Sequence, residues 1–186
     1  MPCERGCVMP LKPVPRPPIR YGEIDGESVA YIPLTKGEWA IVDRRNLCLV
    51  KGCWWLDIRG YPVQRRGGRV PVPMQNVIMP PPPGKITDHK FGNPLDNRES
   101  QLRYATRPEN CKNLARYRNN TSGYKGVHWD ARSDRWIAQI SIAGRRVYLG
   151  CFVRSELIEA AKAYDAAAMG CYGEFARLNF PCVKEG

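Results

Sequence analysis

The sequence predicts an α+β protein built from small modules rather than one large domain. Three observations carry this. The end of the chain reads as three short strands followed by one Ala-rich helix. The stretch from residue 21 to 83 is β-rich and broken by glycines. Between the two, the run Pro80 to Gly84 ends one texture of sequence and opens another, dense in Asp, Asn and Gly. A chain of 186 residues holds one ordinary domain or two small ones.

Residues 1–20, MPCERGCVMPLKPVPRPPIR, are Pro-rich and predict an extended, weakly ordered arm. In 21–83, SVAYIPLTKGEWAIVDRR holds two strand-like runs around a Lys36-Gly37 turn, and NLCLVKGCWWLDIRGYPV continues in that style. RRGGRVPVPMQNVIM adds a basic turn and an apolar stretch. Residues 84–118 form the next module, with apolar residues at Leu102, Tyr104 and Ala105 and a short helix expected from about Pro108 to Tyr117. Residues 119–122 read as a polar linker or hinge.

In 123–182, YKGVHWD, RWIAQISI and RRVYLGCF are strands, with turns at Ser133-Asp134 and Ala143-Gly144. The helix SELIEAAKAYDAAAMGCYG places Leu157, Ala160, Ala161, Tyr164, Ala167, Ala168 and Cys171 on one stripe that faces the sheet. Ser155 is its expected N-cap, Gly173 closes it, and FARLNFP returns the chain to the sheet.

The charge balance points to a partner. With 29 Lys+Arg against 18 Asp+Glu the chain carries +11, which suits a polyanion, because neutralised phosphates release condensed counterions. Charge alone fits a ribosome-bound or merely soluble basic protein equally well. No apolar run is long enough to span a bilayer and no secretory signal is visible, so an intracellular protein with reduced thiols is expected. Cys3 with Cys7 and Cys48 with Cys53 have spacings that zinc accepts. One pair lies in the Pro-rich arm and the other flanks an apolar run, so no structural zinc is expected. Cys111, Cys151, Cys171 and Cys182 are scattered singly and read as small core residues.

The chain has two histidines. His89 follows Asp88 in T-D-H-K, upstream of a polar loop and a helix that holds Asn110 and Asn113. Phosphodiester hydrolysis needs a base for water and a cation for the leaving oxygen. A neutral imidazole is such a base, and carboxylate and carboxamide oxygens suit Mg²⁺. In an extended strand, Asp88 and His89 would point to opposite faces unless a twist brings them together. The stretch TDHKFGNPLDNRESQLRYATRPENCKN resembles the HNH motif of phage and intron homing endonucleases, and YIPLTKGEWAIVD resembles the start of the phage members. The resemblance implies a ββα-metal nuclease module with His89 as general base and Asp88 and Asn110 as metal ligands. Two positions depart from the pattern. Gln101 stands where the family has the Asn that braces the loop and the catalytic histidine, and Met74-Gln75-Asn76 stands where many relatives have Met-His-Arg.

GYKGVHWDARSDRWIAQISIAGRRVYLGCFVRSELIEAAKAYDAAAMGCYGEFARLNFP resembles the Apetala-type (ethylene-response-factor) domain almost end to end. Its marks are Y-K-G-V, W-x-A-x-I, Y-L-G-x-F, A-A-x-A-Y-D-x-A-A and G-E-F-A-R-L-N-F. The resemblance implies a three-stranded antiparallel sheet packed on one helix, with the sheet's outer face in the major groove. Carried over by position, the DNA contacts are Lys125, His128, Arg135, Gln139, Ser141, Arg146 and Tyr148, with Arg132 reaching a phosphate from a turn. His128 and Ser141 replace arginines of many plant members, so their target sequence does not transfer.

Together these imply a homing-type HNH endonuclease acting on double-stranded DNA with Mg²⁺ or another divalent cation such as Mn²⁺, in the cytoplasm of a bacterial host. One site cuts one strand, so a double-strand break would need a homodimer or a second visit. The alternative is a sequence-specific DNA-binding protein whose HNH module is degenerate and inactive. A plain Apetala-type transcription regulator would leave the D-H…N module unused.

Overall fold

The computed structural model describes residues 16–114 and 119–181. Among these the chain forms four antiparallel sheets and three α-helices, an α+β architecture with two hydrophobic centres. Cys3, Cys7 and Cys182 and most of the Pro-rich arm lie outside the described residues.

The N-terminal unit opens with a meander of β1 (Arg20–Ile24), β2 (Glu27–Pro33) and β3 (Trp39–Asp43). Alternation along β2 and β3 turns Ala30, Ile32, Ala40 and Val42 into one core. A second small sheet of β4 (Trp55–Leu56), β5 (Pro62–Gln64) and β6 (Val72–Pro73) leads into helix α1 (Met74–Ile78). Trp54 is fully buried in that core, and its indole N–H donates to the Val50 carbonyl at 2.7 Å. An indole buried this way keeps its polar atom paired.

After Pro80–Gly84 come β7 (Ile86–His89), β8 (Leu102–Ala105) and helix α2 (Arg107–Lys112), in the order strand, strand, helix. The boundary read at residue 84 does not divide two cores. Leu102 packs with Ile32, Trp54 and Met74, and the loop between β7 and β8 docks on β3 through Ile41 N–H to the Leu95 carbonyl and Asn97 N–H to the Ile41 carbonyl, both 2.8 Å. A short segment with one buried leucine has no core of its own, so it borrows one. Helix α2 starts at a capping box, with Thr106 N–H donating to Glu109 at 2.7 Å, and Pro108 sits in its first turn. It is shorter than the helix expected to Tyr117: Asn113 is its C-cap, and 115–118 lie outside the described residues.

In the C-terminal unit, β9 (Val127–Asp130), β10 (Arg135–Ile142) and β11 (Arg145–Phe152) pair in the order β11-β10-β9, and helix α3 (Leu157–Tyr172) packs across one face. This is the sheet and helix that the sequence predicts. Three details differ. Ser155 is not the N-cap, because a 3-10 turn at Arg154–Glu156 precedes the helix and Glu156 receives the Val153 N–H at 3.0 Å. Cys171 is exposed, and Tyr172, one turn on from Ala168, packs against the core in its place. Cys111 and Cys151 are exposed as well, the latter on the outer face of β11. The 119–122 segment is no free hinge either: the Ser122 hydroxyl, itself buried, donates to the Val127 carbonyl at 2.8 Å, and Asn120 caps the same turn.

Two substitutions test this packing. Gly126 has φ +78° and a Cβ there would overlap the Tyr164 ring, so Gly126→Ala is expected to cost about 2 kcal/mol or more in chemical denaturation. Gln75 is buried and its Oε1 has no partner among the described residues, so Gln75→Met is expected to hold or raise stability by about 1 kcal/mol in the same assay.

Candidate nucleic-acid interface and the Asp88–His89 cluster

Strand alternation divides the C-terminal sheet cleanly. Val127, Trp136, Ala138, Ile140 and Phe152 face α3, which presents Ala160, Ala161, Tyr164 and Ala168. The opposite face carries His128 beside Ile137, Gln139 beside Tyr148, and Ser141 beside Arg146, as their registers dictate. Arg135 closes that face at the β9 end, opposite Asp130. A β-bulge at Ala138/Gln139 keeps the alternation in phase, with Gly150 at φ +148°, a conformation open mainly to glycine. Arg135, Arg146 and Tyr148 are exposed. Six of the eight residues expected to touch DNA therefore share this face: His128, Arg135, Gln139, Ser141, Arg146 and Tyr148.

The other two lie elsewhere. Arg132 sits in the exposed β9–β10 turn, which Asp130 holds by accepting from Ser133 Oγ at 2.6 Å. Lys125 turns away from the face. Its ammonium donates to the carbonyls of Lys112 (2.6 Å) and Leu114 (2.8 Å), at the C-terminal end of α2, where the helix dipole favours a cation. Burial, and then the Arg177 charge, draw its pKa down to about 8. Asn179 holds the same residue from the other side, accepting the Lys125 N–H at 2.6 Å and anchored in turn by Asp165. An open groove of about 640 Å³ continues this face toward α2, lined by His128, Gln139, Ser141 and Arg146 and by Cys111 and Lys112. Among the described residues no carboxylate lines it.

Asp88 and His89 end β7 side by side, and both are buried. Asn97 braces the imidazole. Its Nδ2 donates to the Pro94 carbonyl at 3.1 Å, which leaves Oδ1 to face His89 Nε2 at 3.2 Å. Nε2 is then the donor, and the lone pair sits on Nδ1. Burial holds the His89 pKa below the usual histidine value, against smaller opposing effects of Asn97, Asp88 and Asp96, so the ring is neutral at pH 7. The ring of Tyr61 lies 5.9 Å away, tilted by 52°.

Asp88 is engaged on one oxygen. Its Oδ2 accepts from Arg103 Nε (3.0 Å) and Nη2 (2.9 Å) and from Asn113 Nδ2 (2.9 Å). Asn113 also donates to the His89 carbonyl at 2.8 Å. Gln101 serves the loop through its backbone, accepting from Lys90 N–H at 2.9 Å and donating to the Arg98 carbonyl at 2.9 Å, and Asn110 bonds through its backbone within α2. Asn97 thus braces the imidazole, the role that the resemblance gives to the position of Gln101, and Asn113 rather than Asn110, the metal ligand that the resemblance implied, lies beside Asp88. Both asparagines stand in the stretch that carried the resemblance, in LDNR and ENCKN, and only the fold selects between neighbours. Among the described residues no group of three or more His, Cys, Asp or Glu converges as a metal site, and no helix is long and apolar enough to cross a membrane.

The fold and the face define a two-unit α+β protein whose C-terminal unit offers a one-sided polar and basic sheet. No family model matches the chain. It is 32% identical over 100 residues to Protein 3.8 of Escherichia phage T7, a match that covers 54% of this chain and 80% of that protein. The chain belongs to the Protein 3.8 family. That match is too long to lie within the C-terminal unit and reaches into the N-terminal one. A stretch of 65 residues, the size of the C-terminal unit, is 45% identical to Dehydration-responsive element-binding protein 2C of Arabidopsis thaliana, covering 34% of this chain and 18% of that protein. A stretch of 77 residues is 40% identical to APETALA2-like protein 2 of Oryza sativa subsp. indica, covering 41% of this chain and 17% of that protein. The chain therefore spans under a fifth of these plant relatives.

The His89 environment has a pH signature. The unfolded imidazole takes a proton near the ordinary 6.5 while the buried one resists, so its contribution to stability is whole above 6.5 and is lost as pH falls through the depressed folded value. Denaturation at pH 7.5 and pH 5 is expected to show a larger loss for the wild type than for His89→Gln. Equal losses would place the acid sensitivity elsewhere.

Proposed function

We propose that the protein is a sequence-specific binder of duplex DNA that uses the outer face of β9, β10 and β11. One observation carries the reading: the sheet is apolar and helix-covered on one side, while the other side gathers Arg135, Gln139, Ser141, Arg146 and Tyr148 in register. A twisted sheet of this width fits the major groove, where arginine reads guanine and glutamine reads adenine. The plant relatives include proteins named for binding a DNA element, which supports it. The T7 relative, a phage protein, supports a place of action inside a bacterial host.

Arg146→Ala is expected to weaken binding to selected DNA roughly tenfold and to lower the slope of log K against log salt by about one if it contacts phosphate. Lys162→Ala, on the exposed side of α3, should leave binding unchanged. If the two variants bind alike, the outer face is not the interface.

A second reading, metal-dependent endonuclease activity of the HNH homing type, is favoured by the braced, neutral imidazole beside a carboxylate, with no partner on Nδ1 among the described residues. His89 would take the proton from water. Mg²⁺ or Mn²⁺ would offset the leaving-group charge and Asp88 is the natural ligand, but the arrangement does not fit a divalent cation. The Asp88 carboxylate is already matched by the Arg103 guanidinium, and Asn113 rather than Asn110 is beside it. Supercoiled plasmid incubated with Mg²⁺, with EDTA, and with His89→Ala tests hydrolysis. Metal-dependent nicking lost in His89→Ala establishes it. Intact plasmid and intact selected-site DNA leave a DNA-binding protein with an inactive module.

A further inference from the structure

We propose that the groove between the C-terminal sheet and α2 seats the phosphate backbone of one DNA strand, so that both units of the chain grip the same duplex. This rests on the reading of the outer face as the DNA interface and carries that interface into the N-terminal unit, where Lys112 is the contact.

The groove exists because β9 is short. It pairs with residues 135–138 of β10, and no strand covers the rest of that margin among the described residues. The chain enters β9 through Gly126, at φ +78°, whose carbonyl accepts the Gln139 N–H at 2.8 Å. Helix α2 stands beside the open margin of β10 in place of a strand. Lys125 holds it there, because its ammonium donates to the Lys112 and Leu114 carbonyls. Lys125 thus positions the wall of the groove.

The two walls carry chemistry that suits one ligand. Tyr172 links them: its hydroxyl donates to the Ser141 carbonyl, and the Lys112 ammonium lies 5.1 Å from the centre of its ring. Ser141 pairs across the strands with Arg146, and both are exposed on the outer face. A cation of the N-terminal unit is thereby brought beside the cations of the sheet. Neither Lys112 nor Arg146 forms an ion pair among the described residues. Glu109, the carboxylate nearest to Lys112 in sequence, is engaged by Thr106 at the start of α2.

A sheet lying in the major groove has a sugar–phosphate strand along each margin. The open margin of β10 meets one of them, and a cleft of about 640 Å³ admits a single backbone strand, whereas a duplex is far too wide for it. Lys112 and Arg146 neutralise its phosphates and release their counterions.

The test uses the full chain and a duplex that it selects from a random-sequence pool. Alkylation of exposed cysteines by iodoacetamide, read site by site in a mass spectrometer, reports what the duplex covers. Cys151 lies on the outer face and Cys111 in the groove, while Cys48 lies on neither. DNA is expected to slow Cys151 and Cys111 several-fold and to leave Cys48 unchanged. Lys112→Gln should weaken binding several-fold and lower the slope of log K against log salt by about one. The wild-type alkylation pattern decides the matter if Lys112→Gln does not fold. Protection of Cys151 with Cys111 at its free rate overturns the groove and leaves the outer-face reading standing. A salt slope of Lys112→Gln equal to that of wild type does the same. Protection of neither cysteine, or a pool that yields no bound duplex, overturns both.

Discussion

A guanidinium cannot be taken out of water unless every face of it finds an acceptor or a ring, and among the described residues of the N-terminal unit two are buried, Arg98 and Arg103. Arg98 is matched nearby: Asp96 chelates it at 2.9–3.0 Å, and Asp25 in the β1–β2 turn takes its far end at 3.2 Å. That network, the Asp96 hydrogen bonds above all, keeps Arg98 firmly charged and sets the 93–98 loop against the first sheet. Arg103 is matched only in part by its own unit. Asp88 takes two N–H groups, and the remainder is completed from the turn after α3. Arg103 is thus one of several cations that join the two units, with Lys112 over the Tyr172 ring and Lys125 on the carbonyls that end α2, and it is the one that also holds Asp88.

The C-terminal unit was the more legible in the sequence, and the reason is physical. Strand alternation and a helical stripe are periodic signals, each repeated over many residues, so one misplaced position does not blur them. The outer-face set came from the Apetala-type resemblance, and period two explains why six of its members share a face. Lys125 escaped that rule because it precedes β9, where the backbone no longer alternates, and its ammonium found helix-end carbonyls instead. In the N-terminal unit the strands are short, two of them of two residues, and much of the binding is between distant segments. Nothing in the local texture announces that Leu102 joins the core of β2 and β3. A proline run marks where the chain turns, which differs from where a core ends.

The same limit explains the asparagines. The HNH resemblance implied a carboxamide near His89 and another near Asp88, and the structure has Asn97 and Asn113 there. Which one arrives depends on turns a pattern does not resolve: Asn97 is drawn in because its backbone N–H is already committed to Ile41, so its side chain starts from a fixed point. Asn113 is drawn in because α2 stops there, and a C-cap residue has a side chain free to fold back to the strand before it. Asn110, inside the helix, keeps its backbone in the ladder.

The outer face of the C-terminal sheet and the Asp88–His89 cluster meet through one helix. His128, Gln139, Ser141 and Arg146 also line the groove that runs to Cys111 and Lys112 on α2, and among the described residues its lining has no carboxylate to repel a phosphate strand. Helix α2 in turn ends at Asn113, which holds Asp88 and the His89 carbonyl. A duplex seated on the sheet and extended along that groove meets the helix that braces the cluster before it meets the cluster.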